Sequence, residues 1–530
     1  MILALVILPL LAGLAAFVLP QPAIRRGLLV GTALVHTALA ATCWKWTPAP
    51  ALGGWLAVDA AGLLFLSITS GLFLMVSFYV AGYLGQEANR RATDPEEGFL
   101  FDNAPEAVFI GCLLLFLAAM TLVTVSQHFG LLWVAVEATT LASAPLIYFH
   151  RHHRSLEATW KYLLICSVGI ALALLANFFL AVAATQTASD SFPMVLSDLV
   201  THARGLQTPW LKAACLLFFV GYGTKMGLAP LHTWLPDAHS EAPSAVSALL
   251  SGAVLNCAFL GLVRVQQVCV AAGLGGFGRD VWIALGLISL VVSAVFILGQ
   301  TDYKRLLAYS SVENMGIIAV GVGLGGAGAF GAMLHAVNHS LAKAMLFLLS
   351  GNILARYQSK SIARVRGLLI ALPATGLLWM AGFLAITGMP PFGLFLSKFT
   401  ILKAAFDGGR LWIAIVLLGF LAVIFIGMTT AFLAMAQGEP PKQADGLPSR
   451  SPLDKEPVSP PTLTGLPPAS DFDETSRRGS LRPRLASDED WWQIAPPAVL
   501  GLLVLWLGLA VPERLMNVLH QIASTLGGAQ

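Results

Sequence analysis

Lys225 sits within CLLFFVGYGTKMGLAPLHTWLP, an apolar run closed by Pro230 and Pro236. A lysine in the middle of an apolar span costs about 3 kcal/mol on insertion scales. A chain keeps such a group where a partner or a wet cavity takes up its charge, and intramembrane ionisable groups mark ion or proton paths. Pro230 follows five residues later, so the helix is expected to break beside it. Irregular backbone at membrane depth is tolerated only where it faces protein or a water-filled cavity.

Other titratable groups stand in similar surroundings. Glu137 lies in GLLWVAVEATTLASAPL with no basic residue near it in sequence. An isolated buried carboxylate protonates, so a partner from another helix is expected, with Lys225 as the candidate. His335, His339 and Lys343 recur every four residues in MLHAVNHSLAKAMLF, which stacks them on one helix face. Three stacked basic groups in an apolar helix read as a proton relay. Lys398 follows the second interruption, GMPPFG. Further polar groups support these. Asn256 can hold water or bridge donors, Glu313 is a relay member or a helix-end cap, and Lys161 is a relay member or a snorkelling side chain. His232 and Asp237 lie between Lys225 and the next span.

The elements that must hold these groups are membrane helices. The chain has 530 residues, 57% hydrophobic and 11% charged, with mean hydropathy +0.77. That composition is that of an all-α polytopic membrane protein. Fourteen apolar spans are read, near 2–20, 27–45, 57–82, 105–126, 130–149, 158–185, 210–229, 243–263, 280–299, 305–325, 328–355, 368–404, 410–436 and 492–512. The span at 368–404 exceeds one crossing of about 20 residues, and Gly388, Pro390, Pro391 and Gly393 break it. Two interrupted spans, five spans apart and each bearing a lysine, suggest two five-helix repeats of inverted topology. The domain reading is helices 1–3 over 1–104, one repeat over 105–265, a second over 280–436, a polar loop over 437–490 and a last helix with tail over 491–530.

Basic residues set orientation. Loops after odd-numbered spans carry Arg25 and Arg26, Arg90 and Arg91, Arg151 and Arg154, Lys304 and Arg305, Arg356 to Arg366, and Lys442 to Arg484. Loops after even-numbered spans carry only Lys45, Arg204, Arg264, Arg279 and Arg410. The bias places both termini outside and the loop 437–490 in the cytoplasm of a cell whose inner (plasma) membrane holds the chain. The first span is expected to be retained, with no removed signal peptide. The loop is rich in Pro, Ser, Asp and Arg, a composition that cannot fold alone.

Several classes fall away. The single cysteines form no C-x-x-C, which argues against an iron–sulfur cluster or structural zinc. Gly321, Gly323 and Gly326 match G-x-G-x-x-G, but between two apolar helices and outside any βαβ unit. His150, His152 and His153 read as part of a basic turn and not as metal ligands. No Walker A, G-x-S-x-G or H-E-x-x-H occurs, and there is no basic patch for nucleic acid.

The segments WVAVEATTL, KYLLICSVGIAL, GTKMGLAPLHTWLPDAHSEAPSAVSALLSG, DYKRLLAYSSVENMG, NHSLAKAMLFLLSGN and GMPPFGLFLSKF resemble the antiporter-like subunits of respiratory complex I, Mrp antiporters and membrane-bound hydrogenases. Within that superfamily the wording is most similar to the F-type membrane component of hydrogenase-4. The resemblance implies that Glu137 and Lys225 form the charge pair of the first half, that Lys398 is the terminal group, and that His335, His339 and Lys343 connect them. Asn256 stands where many such proteins have Lys or His. The implied function is proton translocation within a multi-subunit redox complex, hydrogenase-4-like or NADH:quinone oxidoreductase-like. Alternatives are one chain of a Na+(K+)/H+ antiporter and the cation-driven membrane half of an inorganic-carbon uptake complex. No cofactor is expected in this chain; nickel–iron, iron–sulfur or quinone would sit in partner subunits, membrane and peripheral. The chain is expected to meet the lipid bilayer and to carry protons, with Na+ as the alternative ion.

Overall fold

The computed structural model describes residues 1–87, 92–93, 100–185, 194–440 and 489–527. Arg90, Arg91 and residues 441–488 of the polar loop lie outside the described residues. Helices follow in the order α1 Ile2–Val18, α2 Pro22–Thr42, α3 Ala60–Glu87, α4 Glu106–Val125, α5 Phe129–Ile147, α6 His153–Ala184, α7 Leu196–Thr201 and α8 Thr208–Met226. Then come α9 Trp234–Glu241, α10 Ser244–Leu249, α11 Leu255–Ala271, α12 Gly275–Ile297, α13 Tyr303–Leu324 and α14 Gly326–Tyr357. The chain continues through α15 Leu368–Ala371, α16 Pro373–Thr387, α17 Gly393–Asp407, α18 Leu411–Ala436, α19 Trp491–Leu509 and α20 Glu513–Thr525. Among the described residues the one strand pair is a two-residue ladder, Ala92–Thr93 with Leu100–Phe101. Among the described residues ten helical segments, α10 and α11 counted as one across the turn between them, are long and apolar enough to cross a membrane, and α1 and α16 are shorter apolar helices.

Local sequence sets the helix starts. Asp302 caps α13 by accepting from the Lys304 and Arg305 amides at 2.7 and 3.1 Å. His128 does the same for α5 through Nδ1. His152 accepts from the Ser155 amide at the head of α6, and His150 Nδ1 meets Asn103 Oδ1 at 2.8 Å. Two histidines of this turn thus serve capping and packing. Pro209 stands in the first turn of α8 and Pro373 opens α16, where the missing amide is no loss. The Glu489 carboxylate accepts from the Ala374 and Thr375 amides, both at 2.8 Å, which places this end of the polar segment on α16.

Both expected interruptions are present, and they end the same way. Helix α8 stops at Gly227, φ 81° and ψ 26°; α16 stops at Gly388, φ 84° and ψ 42°. In each, the residue after the glycine donates its amide back across the turn, Leu228 to the Gly223 carbonyl and Met389 to the Leu384 carbonyl, closing a Schellman motif. A third irregularity had no sequence signal: Leu250–Val254, between α10 and α11, is a π turn. The centre of the bundle is α10–α11, α13 and α14, nearly all buried, whereas α18 and α19 expose most of their length. Helix α14 packs against α13, α16, α17, α19 and α20. Arg264, read from sequence as a loop residue, lies inside α11 and is fully buried.

Candidate functional site: a file of buried cations

The first centre forms where α8 ends. Lys225 is fully buried, and its Nζ donates to Thr140 Oγ1 at 2.7 Å and Tyr162 OH at 2.6 Å. The ammonium also lies 4.7 Å from the centre of the Tyr162 ring, a cation–π contact. Thr140 in turn reaches Glu137 Oε2 at 3.3 Å, and Ser167 donates to Glu137 Oε1 at 3.0 Å. Helix α5 brings Glu137 and Thr140 to one face because three residues make almost one turn. The expected direct Glu137–Lys225 contact is therefore replaced by a hydroxyl bridge. Tyr162 OH shares a 2.7 Å hydrogen bond with Ser143, and Trp234 closes the centre by donating to the Thr224 carbonyl at 2.8 Å.

The second centre joins α11 to α14 just after the π turn. Asn256 Nδ2 donates to Ser340 Oγ at 2.7 Å and to the Gly252 carbonyl at 2.9 Å, while its Oδ1 takes no partner from the protein. Next to Ser340, both ring nitrogens of His339 are buried without a protein partner. Lys343 Nζ donates to the Leu307 carbonyl at 2.5 Å and to Ser310 Oγ, both on α13. Unpaired buried polar atoms of this kind call for water.

The third centre faces the break after α16. Lys398 Nζ pairs with Glu313 Oε1 at 3.1 Å and donates to the Ile386 and Thr387 carbonyls at 3.2 and 3.4 Å. Those carbonyls are left free by the end of α16. Glu313 is in the middle of α13, so it is a charge partner and not a helix-end cap. His335 is held at both nitrogens, Nδ1 by Ser397 at 2.8 Å and Nε2 by Asn314 at 2.9 Å.

Three of the sequence-predicted groups stand elsewhere. Lys161 is half-exposed and pairs with Glu157 at 2.7 Å and Asp237 at 3.0 Å; Arg305 also meets Asp237. Lys161 precedes Tyr162, but adjacent helical residues do not share a face. His232 packs near Tyr309, with ring centres 6.2 Å apart. At the same end of the bundle, Lys360 pairs with Glu241 at 2.7 Å. Burial alone would raise the Glu241 carboxyl, but the charge and hydrogen bond of Lys360 outweigh it and hold the group below its ordinary range. Burial, reinforced by the charge of Lys304, pushes His150 down to about 3, so its imidazole is neutral.

Sequence reasoning missed the groups that connect these cations: Thr140, Tyr162, Ser340, Asn314 and Ser397. It also missed His239, fully buried, unpartnered at both nitrogens and stacked on Phe347 at 5.0 Å. Its only signal was its place in the DAHSEAPS segment. Among the described residues no group of three His, Cys, Asp or Glu is placed to hold a metal. The six cysteines are buried free thiols.

Comparison with known proteins places the chain. A family model described as NADH:quinone oxidoreductase/Mrp antiporter, transmembrane, matches residues 126–425. The chain is 33% identical over 401 residues to the hydrogenase-4 component F homolog of Methylacidiphilum infernorum, covering 75% of this chain and 82% of that protein. It is 31% identical over 397 residues to NADH-quinone oxidoreductase subunit L of Mycobacterium tuberculosis, covering 74% of this chain and 58% of that one. A chain of the membrane-bound sulfane sulfur reductase, an archaeal respiratory membrane complex, superposes with TM-score 0.79 at 20% identity, covering 99% of this chain and 97% of that one. At that identity the superposition speaks for the fold.

Proposed function

Because the chain belongs to the NADH:quinone oxidoreductase/Mrp antiporter transmembrane family, we propose that it is the proton-translocating, antiporter-like membrane subunit of a multi-subunit respiratory redox complex of hydrogenase-4 type. One observation carries the reading. Lys225 is fully buried at a helix break, and its ammonium is held by two hydroxyls, one of which leads to Glu137. The hydroxyls around it are neutral donors and acceptors that can serve the lysine in either charge state. A negative charge on Glu137 favours the ammonium, and its neutralisation favours release of the proton.

The proton then passes from the Asn256–Ser340 bridge to His339 and Lys343 and on to Lys398, beside which Ser397 holds His335. The unpartnered nitrogens of His339 and the free Oδ1 of Asn256 support water-filled steps there. Lys398 is paired with Glu313, so it holds its proton while the pair is closed and releases it when the pair opens. The two Schellman-ended interruptions support two five-helix repeats over 105–265 and 280–436. The distribution of Lys and Arg supports termini outside and the segment 437–490 in the cytoplasm. The redox centres, whether nickel–iron, iron–sulfur or quinone, belong to partner subunits.

The test is to purify the complex that carries this chain, reconstitute it in vesicles and energise it with hydrogen or NADH. Dye quenching should report acidification on turnover. Lys225→Ala and Glu137→Gln should each abolish or severely reduce it in an assembled complex. Full pumping in either variant overturns the assignment. Acidification that needs Na+ or K+ on the opposite side, without redox turnover, selects the cation/proton antiporter reading in its place.

A further inference from the structure

Arg264 lies outside the cation file and takes no part in the steps above. It is fully buried in α11, and only its Nη2 finds protein acceptors, Asp59 Oδ1 at 3.4 Å and the Thr124 carbonyl at 3.3 Å. Its Nε and Nη1 have none. The same Asp59 oxygen also accepts from Gln127 Nε2 at 3.1 Å and from the Gly62 amide at 3.0 Å, so its charge is shared among three donors. About a third of the Asp59 side chain is exposed, 30%. It stands where α3 begins and α4 ends, at the end of the bundle opposite the Lys161–Asp237–Arg305 cluster.

On the inner side of Arg264 lies Tyr222, whose buried hydroxyl has no protein partner. The Tyr222 ring rests on Gly261, where an added Cβ would come within 3.0 Å, and Gly261 is one turn before Arg264. Tyr222 is also one turn before Lys225 on α8. Tyr222 and Arg264 therefore stand between Lys225 and the solvent-touched Asp59, with the Tyr222 hydroxyl and the Arg264 Nε and Nη1 all buried without a protein partner. A guanidinium cannot give up its proton in a protein, so Arg264 cannot serve as a step on that line. A fixed positive charge in a narrow polar passage repels protons and metal cations.

We propose that Arg264 is a selectivity residue, a permanent positive plug that seals the Lys225 centre from the bundle end bearing Asp59. It sends the proton sideways, toward the polar face of α14 and Lys398. The inference rests on the translocation reading above, under which that end faces outside.

The experiment uses the whole complex in pyranine-loaded vesicles, with passive proton entry read under an imposed potential and no redox substrate. Wild-type pumping is recorded first in the same vesicles; its absence defeats the translocation reading before any variant is compared. Arg264→Met should raise passive proton entry by at least about tenfold, the scale on which one buried charge acts, while chloride permeability stays at the wild-type level. A hole left by lost packing would raise both. Arg264→Lys should remain tight, and so should Asp59→Asn, which keeps the cation. A tight Arg264→Met complex, a matching rise in chloride entry, or a leaking Asp59→Asn complex overturns the proposal. If Arg264→Met does not assemble, the neutral pair Arg264→Gln with Asp59→Asn replaces it: a proton leak supports the plug and tightness overturns it.

Discussion

At the residue scale, the hydroxyl bridge separates this site from a simple ion pair. Thr140 both donates toward Glu137 and accepts from Lys225. Thr140→Val keeps the shape and removes the bridge. It leaves a charged group short of a partner, a loss of about 1–3 kcal/mol, and turnover-driven pumping should fall by about tenfold, with assembly unchanged. A drop as complete as that of Lys225→Ala would show that the hydroxyl does more than transmit charge. Lys360 offers a measurement on pH. Glu241 is held below its ordinary range, so its share of stability is present above the unfolded carboxyl value and is lost as pH falls through the lowered one. Lys360→Met should lower the melting temperature at neutral pH and shrink the difference from wild type in acid. An equal difference at both pH values would exclude this linkage. The cations of the file were legible because a charge inside an apolar run is rare. Their connectors were not, since Thr, Ser and Tyr are ordinary in such helices and only tertiary contact selects Thr140 or Ser340. For the same reason Glu313 was ambiguous, its partner being 85 positions away on α17.

At the element scale, two glycines hold the interruptions. Gly227 and Gly388 adopt left-handed backbone, which costs a residue with a Cβ about 1–2 kcal/mol. A Cβ at Gly388 would also come within 2.9 Å of the Lys398 side chain, and one at Gly227 within 2.6 Å of Leu235. Gly388→Ala should therefore destabilise the protein by about 1–3 kcal/mol and impair pumping by moving Lys398, whereas Gly227→Ala should show mainly the stability loss. Melting and pumping of the two variants together check this. The prolines and glycines made both breaks readable. The π turn at Leu250–Val254 was not, because a single glycine is common in membrane helices and the extra residue is set by packing. Gly252 lies in that turn against the Ser340 carbonyl, where a Cβ would come within 3.0 Å, beside the Asn256–Ser340 bond.

At the scale of the whole molecule, composition and span lengths announced a helical membrane protein, while the relation of its parts had to come from contacts. The polar segment tests how much of the chain the bundle needs. Residues 441–488 lie outside the described residues, but Glu489 caps α16 and the Gln437 carbonyl accepts from the Gly367 amide at 2.9 Å. Replacing 441–488 with a Gly/Ser linker, with both anchors kept, should leave assembly and pumping at wild-type levels. Glu489→Ala in the same background should lower the melting temperature, since a lost cap costs about 0.5–2 kcal/mol. A complex that assembles with the linker but does not pump would assign the segment a mechanistic part.

Helix α14 has a consequence for how the protein is made. It is nearly all buried, yet it is among the least hydrophobic of the candidate spans, and it carries two histidines and a lysine at its core. Lipid offers those groups nothing, whereas Ser310, Asn314 and Ser397 do. During synthesis α13 is already in place when α14 leaves the ribosome, but α17 and α19 are not. The nascent α14 must therefore wait at the insertion machinery, or under a chaperone, until its later neighbours arrive. Chains truncated after Tyr357 should be extracted and degraded, while chains carried through α19 should resist.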